Sequence, residues 1–416
     1  MSRVVESIAP PRLGRSFRWL LASSWVSNIG DGIGLAAGPL LVASQTDGPL
    51  LVALAALLQR LPWLLFGLYA GVIADRLERR RIVVVVDTMR ASVLVALSVM
   101  IATDTISVAV VLASMFIIGT AEVFADTTTQ TLLPMVVKPA DLGLGNSRLM
   151  LGFITANQLA GPPIGAALFA IGMGWPFVSH GILVAFGALL ISRMAASKPD
   201  VSETRTPARR QIADGLRWLW GHPPMRTLTL TIVTFNVTFG AAWSVLVLYA
   251  TETLDMGEVG FGLLTTASAI GGVLGSWSYT WVEQRISLAN IMRGGLIIET
   301  LTHLSLAITR TPAVAMVVFF VFGMHAAIWA TTSTAVRQRA VPGEFQGRVG
   351  SVYMMGVHGG LVVGSAIGGV IAHQWGVTGP FWFAFVGSAL ILVAIWQALG
   401  HIAHADAESL LPYPGE

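Results

Sequence analysis

Gly71-Val72-Ile73-Ala74-Asp75-Arg76-Leu77-Glu78-Arg79-Arg80-Arg81 is a short knot of charge between two apolar runs, Leu50 to Ala70 and Ile82 to Ile101. Each run is close to the ~20 residues that a helix needs to cross a bilayer. A loop so rich in arginine stays on the cytoplasmic side, because Lys and Arg resist translocation. Gly71 would let two helices approach closely. Asp75, at the end of the first run, can pair with an arginine or cap a neighbouring helix N-terminus. A generic charged anchor accounts for the arginines and leaves Gly71 and Asp75 unexplained.

Working outward, the whole chain has the same texture. Of its 416 residues 54% are hydrophobic and only 11% charged, and the mean hydropathy is +0.73. Soluble domains carry about 25% charge, so the sequence reads as an all-α polytopic membrane protein with helices packed on helices in lipid. The net charge of +3 is no nucleic-acid footprint, since the arginines sit between apolar runs and not along one face. The absence of cysteine excludes disulfides, thiolate metal sites and cysteine nucleophiles. No Gly-x-x-x-x-Gly-Lys-Ser/Thr loop and no His-Glu-x-x-His occurs. The reading is therefore a non-enzyme without cofactor or metal, not driven directly by ATP.

Apolar windows predict twelve spans, at 16–44, 50–74, 81–103, 107–133, 149–172, 176–196, 226–251, 260–283, 288–309, 312–334, 348–372 and 379–400. The first segment, Met1 to Arg18, reads as a cytoplasmic tail, because the apolar run behind it is too long for a signal-peptide core. That tail and the even-numbered loops collect nearly every cation, while Arg310 stands alone on the acidic opposite side. Both termini are expected in the cytoplasm, the membrane being the bacterial inner membrane.

Residues 1–196 form one expected bundle, 197–225 a cytoplasmic linker, and 226–416 a second bundle with a short tail. In the linker, Ile212, Leu216 and Leu219 fall on one helical face among Arg209, Arg210 and Arg217. That pattern fits an amphipathic helix on the inner membrane surface or a soluble linker helix. The bundles repeat one another. Offset by 203 positions, Thr128-Thr129 meets Thr331-Thr332 and Gly161-Pro162-Pro163-Ile164-Gly165 meets Gly364-Ser365-Ala366-Ile367-Gly368. Six-span repeats are how transporter folds build a site between two bundles.

Gly71, Asp75, Arg76, Arg79 and Arg80 resemble the Gly-x-x-x-Asp-Arg-x-Gly-Arg-Arg signature of the major facilitator superfamily, with Glu78 at the second glycine. Pro342-Gly343-Glu344-Phe345-Gln346-Gly347-Arg348 is similar to the loop after that superfamily's tenth helix. Ser27-Asn28-Ile29-Gly30-Asp31 and Leu61-Pro62-Trp63 look like the branch of macrolide-efflux and enterobactin exporters. The resemblance implies twelve transmembrane helices as two pseudo-symmetric six-helix bundles, with the first, fourth, seventh and tenth lining a central cavity. It implies a cytoplasmic gate of Gly71, Asp75, Arg76, Arg79 and Arg80 in which Asp126 pairs with Arg79 or Arg80. Gly161, Pro162 and Gly165 resemble the fifth-helix motif of proton-exchanging exporters, with Ala166 at its last glycine; a plain small-residue packing seam fits them as well.

Charges inside spans are expensive and point to function until a partner explains them. Asp31 lies mid-span between Gly30, Gly32 and Gly34, a soft stretch whose bending could follow protonation of the acid. Asp31 and Glu122 are the expected proton-coupling carboxylates; a structural Asp31 bonded to Asn28 or a nearby hydroxyl is the alternative. Asn28, Asn236, Phe239, Trp243, His325 and Trp329 are the expected cavity residues, suited to an amphipathic ligand held by stacking. Asp87 and Arg90, three apart, can satisfy each other, as can Glu299 and His303, four apart; Arg60 can reach Asp31 or Glu122. Together these residues and the resemblance imply a monomeric exporter of a lipophilic or amphipathic, drug- or siderophore-like small molecule, by proton antiport with alternating access. The partners are substrate, protons and the lipid bilayer, with no nucleic acid. An importer or facilitator of the same fold, or a non-transport scaffold or sensor, is the alternative.

Overall fold

The structure, a computed structural model, describes residues 10–46, 48–138, 141–194, 208–342 and 345–399. Among these residues every regular element is a helix. In a bilayer core the helix is the one open-ended segment that satisfies its own backbone. Fourteen are used below. α1 is Gly14–Gln45, α2 Pro49–Arg76, α3 Arg79–Ala102, α4 Val108–Val136, α5 Leu142–Gly152, α6 Gly161–Ile171 and α7 Trp175–Ser192. α8 is Ala208–Gly221, α9 Pro223–Trp243, α10 Gly257–Glu283, α11 Leu288–Ile308, α12 Pro312–Ala340, α13 Gln346–Trp375 and α14 Gly379–Ile395.

Nine described helices are long and apolar enough to cross a membrane, ten if the bent pair Pro223–Trp243 and Leu246–Thr253 counts as one span. Twelve is not reached on that criterion, for two physical reasons. α14 has 17 residues, just under a span's length. The expected fifth span is broken into α5, a wider-wound turn at Phe153–Ala160, and α6. Pro162 and Pro163 cause the break, because neither has an N–H to give, and Gly161 N–H reaches back to the Ala156 carbonyl.

The chain divides into two compact units, and the division crosses two helices. Unit 1 gathers the described residues of 1–47, 58–205 and 256–266; unit 2 gathers those of 48–57, 206–255 and 267–416. Hence the first turns of α2 group with unit 2 and those of α10 with unit 1.

Within unit 1, α1 packs on α7, α6 and α4, and α3 packs on α7 and α4. α3 shows the inverted amphipathicity of a membrane helix. Val85, Met89, Val95 and Val99 are exposed along one face, while Asp87, Arg90, Leu94, Leu97 and Ser98 are buried on the other. An exposed apolar face with charge inside is stable only where the solvent is lipid. At one end of the unit Phe17, Leu20, Leu132, Leu133 and Ile191 close an apolar core.

Within unit 2, α9 packs on α13 and α14, and α11 on α12 and α14. α8, the linker helix, turns its Trp218 and Leu219 into the core with Met225, Leu228 and Val349, and Gly215 allows it to meet the Arg348 backbone. Leu216 and Trp220 point outward instead. The expected face of Ile212, Leu216 and Leu219 is thus divided, because docking on α13 claims the side that carries Trp218 and Leu219.

Candidate functional site

Unit 1 holds a buried charge cluster, and α1, α3 and α7 assemble it. Arg90 of α3 donates through Nη2 to Asp31 Oδ1 and through Nη1 to Asp87 Oδ1, the latter at 3.1 Å. His180 of α7 lies with Nε2 3.0 Å from the same Asp31 Oδ1. Arg90 and His180 are 2% and 4% exposed. Removing one partner from so dry a network would leave an uncompensated buried charge, a penalty of about 3–5 kcal/mol. Both bonds to Asp31 end on Oδ1, and Oδ2 takes no hydrogen bond among the described residues.

Beside this carboxylate is a cavity of about 90 Å³, enough for several waters. Its polar lining is Asp31 of α1, Gln59 and Arg60 of α2, Glu122 of α4 and His180 of α7. The apolar part of the lining includes Leu35, Trp63, Leu94, Leu97, Met115 and Phe177. Arg60 lines the same cavity as both acids it could have reached, Asp31 and Glu122. Asp126, one turn beyond Glu122, is half-buried and joins the charges that act on Arg90 without lining the cavity.

The glycines around Asp31 are seats for neighbours. A Cβ at Gly30 would fall 2.8 Å from His180 Cδ2, and one at Gly34 3.1 Å from His180 Nδ1. A Cβ at Gly32 would fall 2.9 Å from Gly161 Cα, and one at Gly165 2.9 Å from Ile33 Cα. The stretch expected to be soft is therefore wedged on two sides. Gly161 and Gly165 form a close seam with Gly32 and Ile33 of α1, and Pro162 between them is buried. Ala166, at the motif's last glycine, is fully buried, and α10 answers it with Gly262.

Several expected roles are placed differently. Asn28 turns back to its own helix, donating to the Ser24 carbonyl at 2.7 Å, so Asp31 is held by Arg90 and His180 and not by Asn28. Arg80 bonds Glu78 at 3.0 Å and the Met194 carbonyl at 2.8 Å, tying the loop to the end of α7, and does not reach Asp126. Arg79 donates to the Ala74 carbonyl at 3.1 Å and to Met135 Sδ. Glu78, with φ −64°, needs no glycine conformation, and its carboxylate gathers Arg80 and Arg81. A Cβ at Gly71 would meet open space, so no close approach requires glycine there. The side chains of Asp75 and Arg76 lie outside the described residues.

In unit 2 the expected ligand-stacking rings stack on one another. Phe239 and Trp243 are 4.2 Å apart between centroids, and Phe322 lies 4.8 Å from Trp243 and 5.7 Å from Phe239. Asn236 donates to its own helix at the Ile232 carbonyl, and Trp329 packs against the apolar core. Glu299 does not pair with His303; its Oε2 is 3.8 Å from His325 Nε2, while His303 meets the ring of Trp243.

A family model described as transmembrane secretion effector, of the major facilitator superfamily, matches residues 6–415. The chain belongs to this family. It is 27% identical over 386 residues to the multidrug efflux pump Tap of Mycolicibacterium fortuitum, a match covering 87% of this chain and 90% of Tap. It is 24% identical over 331 residues to the MFS-type transporter YceJ of Bacillus subtilis (strain 168), covering 77% and 80% of the two chains. The crystal structure of a point mutant of the nucleoside transporter NupG matches the fold with a TM-score of 0.76 at 13% identity, over 92% of this chain and 100% of that one. This member of the family is a membrane-embedded transporter of small molecules with the major facilitator fold.

Sequence reasoning singled out Asp31 and Glu122, which line the cavity, and anticipated the Asp87–Arg90 bond, but missed His180, Gln59 and the bond from Arg90 to Asp31. His180 carried a signal: it is the lone ionisable side chain of α7.

Proposed function

We propose that the protein exports a lipophilic or amphipathic small molecule in exchange for protons, with Asp31 as the coupling carboxylate and Glu122 as its partner in the same chamber. The carrying observation is the position of Asp31 at the cavity wall, gripped through Oδ1 alone. A proton arriving on Oδ2 would neutralise the acid and loosen the hold of Arg90. That charge change biases one conformation over another, which is what coupling requires.

Charge balance supports the same reading. Asp31, Asp87, Glu122 and Asp126 all act on Arg90, and Arg60 is the second guanidinium of the cluster. Fully ionised, four carboxylates against two guanidiniums would leave an excess of two negative charges in a low-dielectric interior. Protons or a cationic substrate relieve that excess, so the two compete. The mixed lining of the cavity suits an amphipathic ligand. The outward direction is supported by the likeness to Tap, a multidrug efflux pump. The positive tail and loops favour cytoplasmic placement of both termini, and the bacterial relatives favour an inner membrane. Alternating access by a monomer completes the reading.

The test is substrate-induced proton release from purified protein in weakly buffered detergent. A substrate found by panel screening should release protons from the wild type and none from Asp31→Asn. Equal release from both would remove Asp31 from the coupling step.

A further inference from the structure

We propose that Glu299 of α11 and His325 of α12 form a second proton-binding site, lying in unit 2 and holding one proton between carboxylate and imidazole. It is independent of the role given to Asp31. Glu299 Oε2 stands 3.8 Å from His325 Nε2, and this is the ion pair that the carboxylate makes among the described residues. Neither nitrogen of His325 has a hydrogen-bond partner, nor has either nitrogen of His303 beside it. His325 is 4% exposed and His303 fully buried.

A neutral imidazole presents one donor and one acceptor, and leaving both unmade in a dry interior is costly. A carboxylate there without a cation is costlier still. The cations on the surrounding helices are engaged elsewhere. Arg293 of α11 donates to the Trp396 carbonyl at 3.2 Å, and Arg337 of α12 lies over the Tyr353 ring. Arg339 pairs with Glu283 of α10 at 3.8 Å, and Arg226 of α9 donates to the Trp220 carbonyl at 3.3 Å. α14 carries no ionisable side chain.

One proton neutralises the carboxylate and gives Nε2 of His325 a partner. With it, Glu299 and His325 become a neutral hydrogen-bonded pair, the acid donating to the imidazole or the imidazolium to the carboxylate. Little movement is required, because a Cβ at Gly295 would stand 3.1 Å from His325 Nδ1, so the ring is already seated against α11 one turn before Glu299. Unit 1 seats His180 on Gly30 and Gly34 beside Asp31 in the same way. The ring of Phe322 meets His325 edge-on, and the ring of Trp243 meets His303 in the same way.

The experiment counts protons in full-length, substrate-free protein in liposomes, using a pH dye after an alkaline jump. It is run in a D31N/E122Q background, so that the proposed chemistry of unit 1 is silent. Adding Glu299→Gln should remove one proton from the count, and adding His325→Gln should shift the midpoint of that proton by a pH unit or more. An unchanged count together with an unchanged midpoint overturns the proposal. Should Glu299→Gln not fold, Glu299→Asp should keep the proton and move its midpoint; an unmoved midpoint overturns the proposal equally.

Discussion

His180 holds Asp31 from another helix, Nε2 to Oδ1 at 3.0 Å, with its ring lying where side chains at residues 30 and 34 would otherwise be. The glycines flanking the acid thus have a packing reason. They let α7 come close enough for an imidazole to reach a carboxylate at a cavity wall.

Gly30→Ala should therefore displace His180 and lower the stability of the purified protein by about 1–3 kcal/mol, the usual cost of overpacking. Gly71→Ala, where the new methyl meets open space, should change it by less than about 0.5 kcal/mol. Thermal unfolding in detergent compares the two. Equal effects would mean that the seat is not tight.

Arg90 neutralises two carboxylates at once, so Arg90→Met should be strongly destabilising, by about 3–5 kcal/mol. Adding Asp31→Asn and Asp87→Asn should restore much of the loss, because the uncompensated charges disappear. Unfolding measurements on the single and triple variants decide this, and a triple variant no better than the single one would contradict the network.

The linker helix gives a contrast between neighbours. Trp218 is 7% exposed and stacked on His222 at 4.9 Å, whereas Trp220 is 59% exposed. Trp218→Ala should cost about 3–5 kcal/mol, as for a buried aromatic, and speed proteolysis within α8. Trp220→Ala should leave both unchanged.

Much of the architecture was legible because lipid imposes long apolar runs, and arginine-rich loops punctuate them. The helix count was less so, since Pro162 and Pro163 interrupt one run locally and α14 is short. Within the site, Asp87–Arg90 could be read because three residues apart on a helix are neighbours. The same rule misled at Glu299, where packing brings His325 of another helix nearer than His303. Arg90–Asp31 and His180–Asp31 span 59 and 149 positions, and no periodicity encodes contacts at that separation. The glycines of α1 were read as flexibility because a sequence shows a missing side chain but not the neighbour that fills its place.

The central claim is that Asp31 couples proton movement to substrate movement. Its most direct measurement is substrate efflux from proteoliposomes under an imposed pH gradient, comparing the wild type with Asp31→Asn at equal reconstituted amounts. The expected result is gradient-driven accumulation by the wild type and only downhill equilibration by the folded fraction of the variant. Gradient-driven accumulation by Asp31→Asn at the wild-type rate would contradict it.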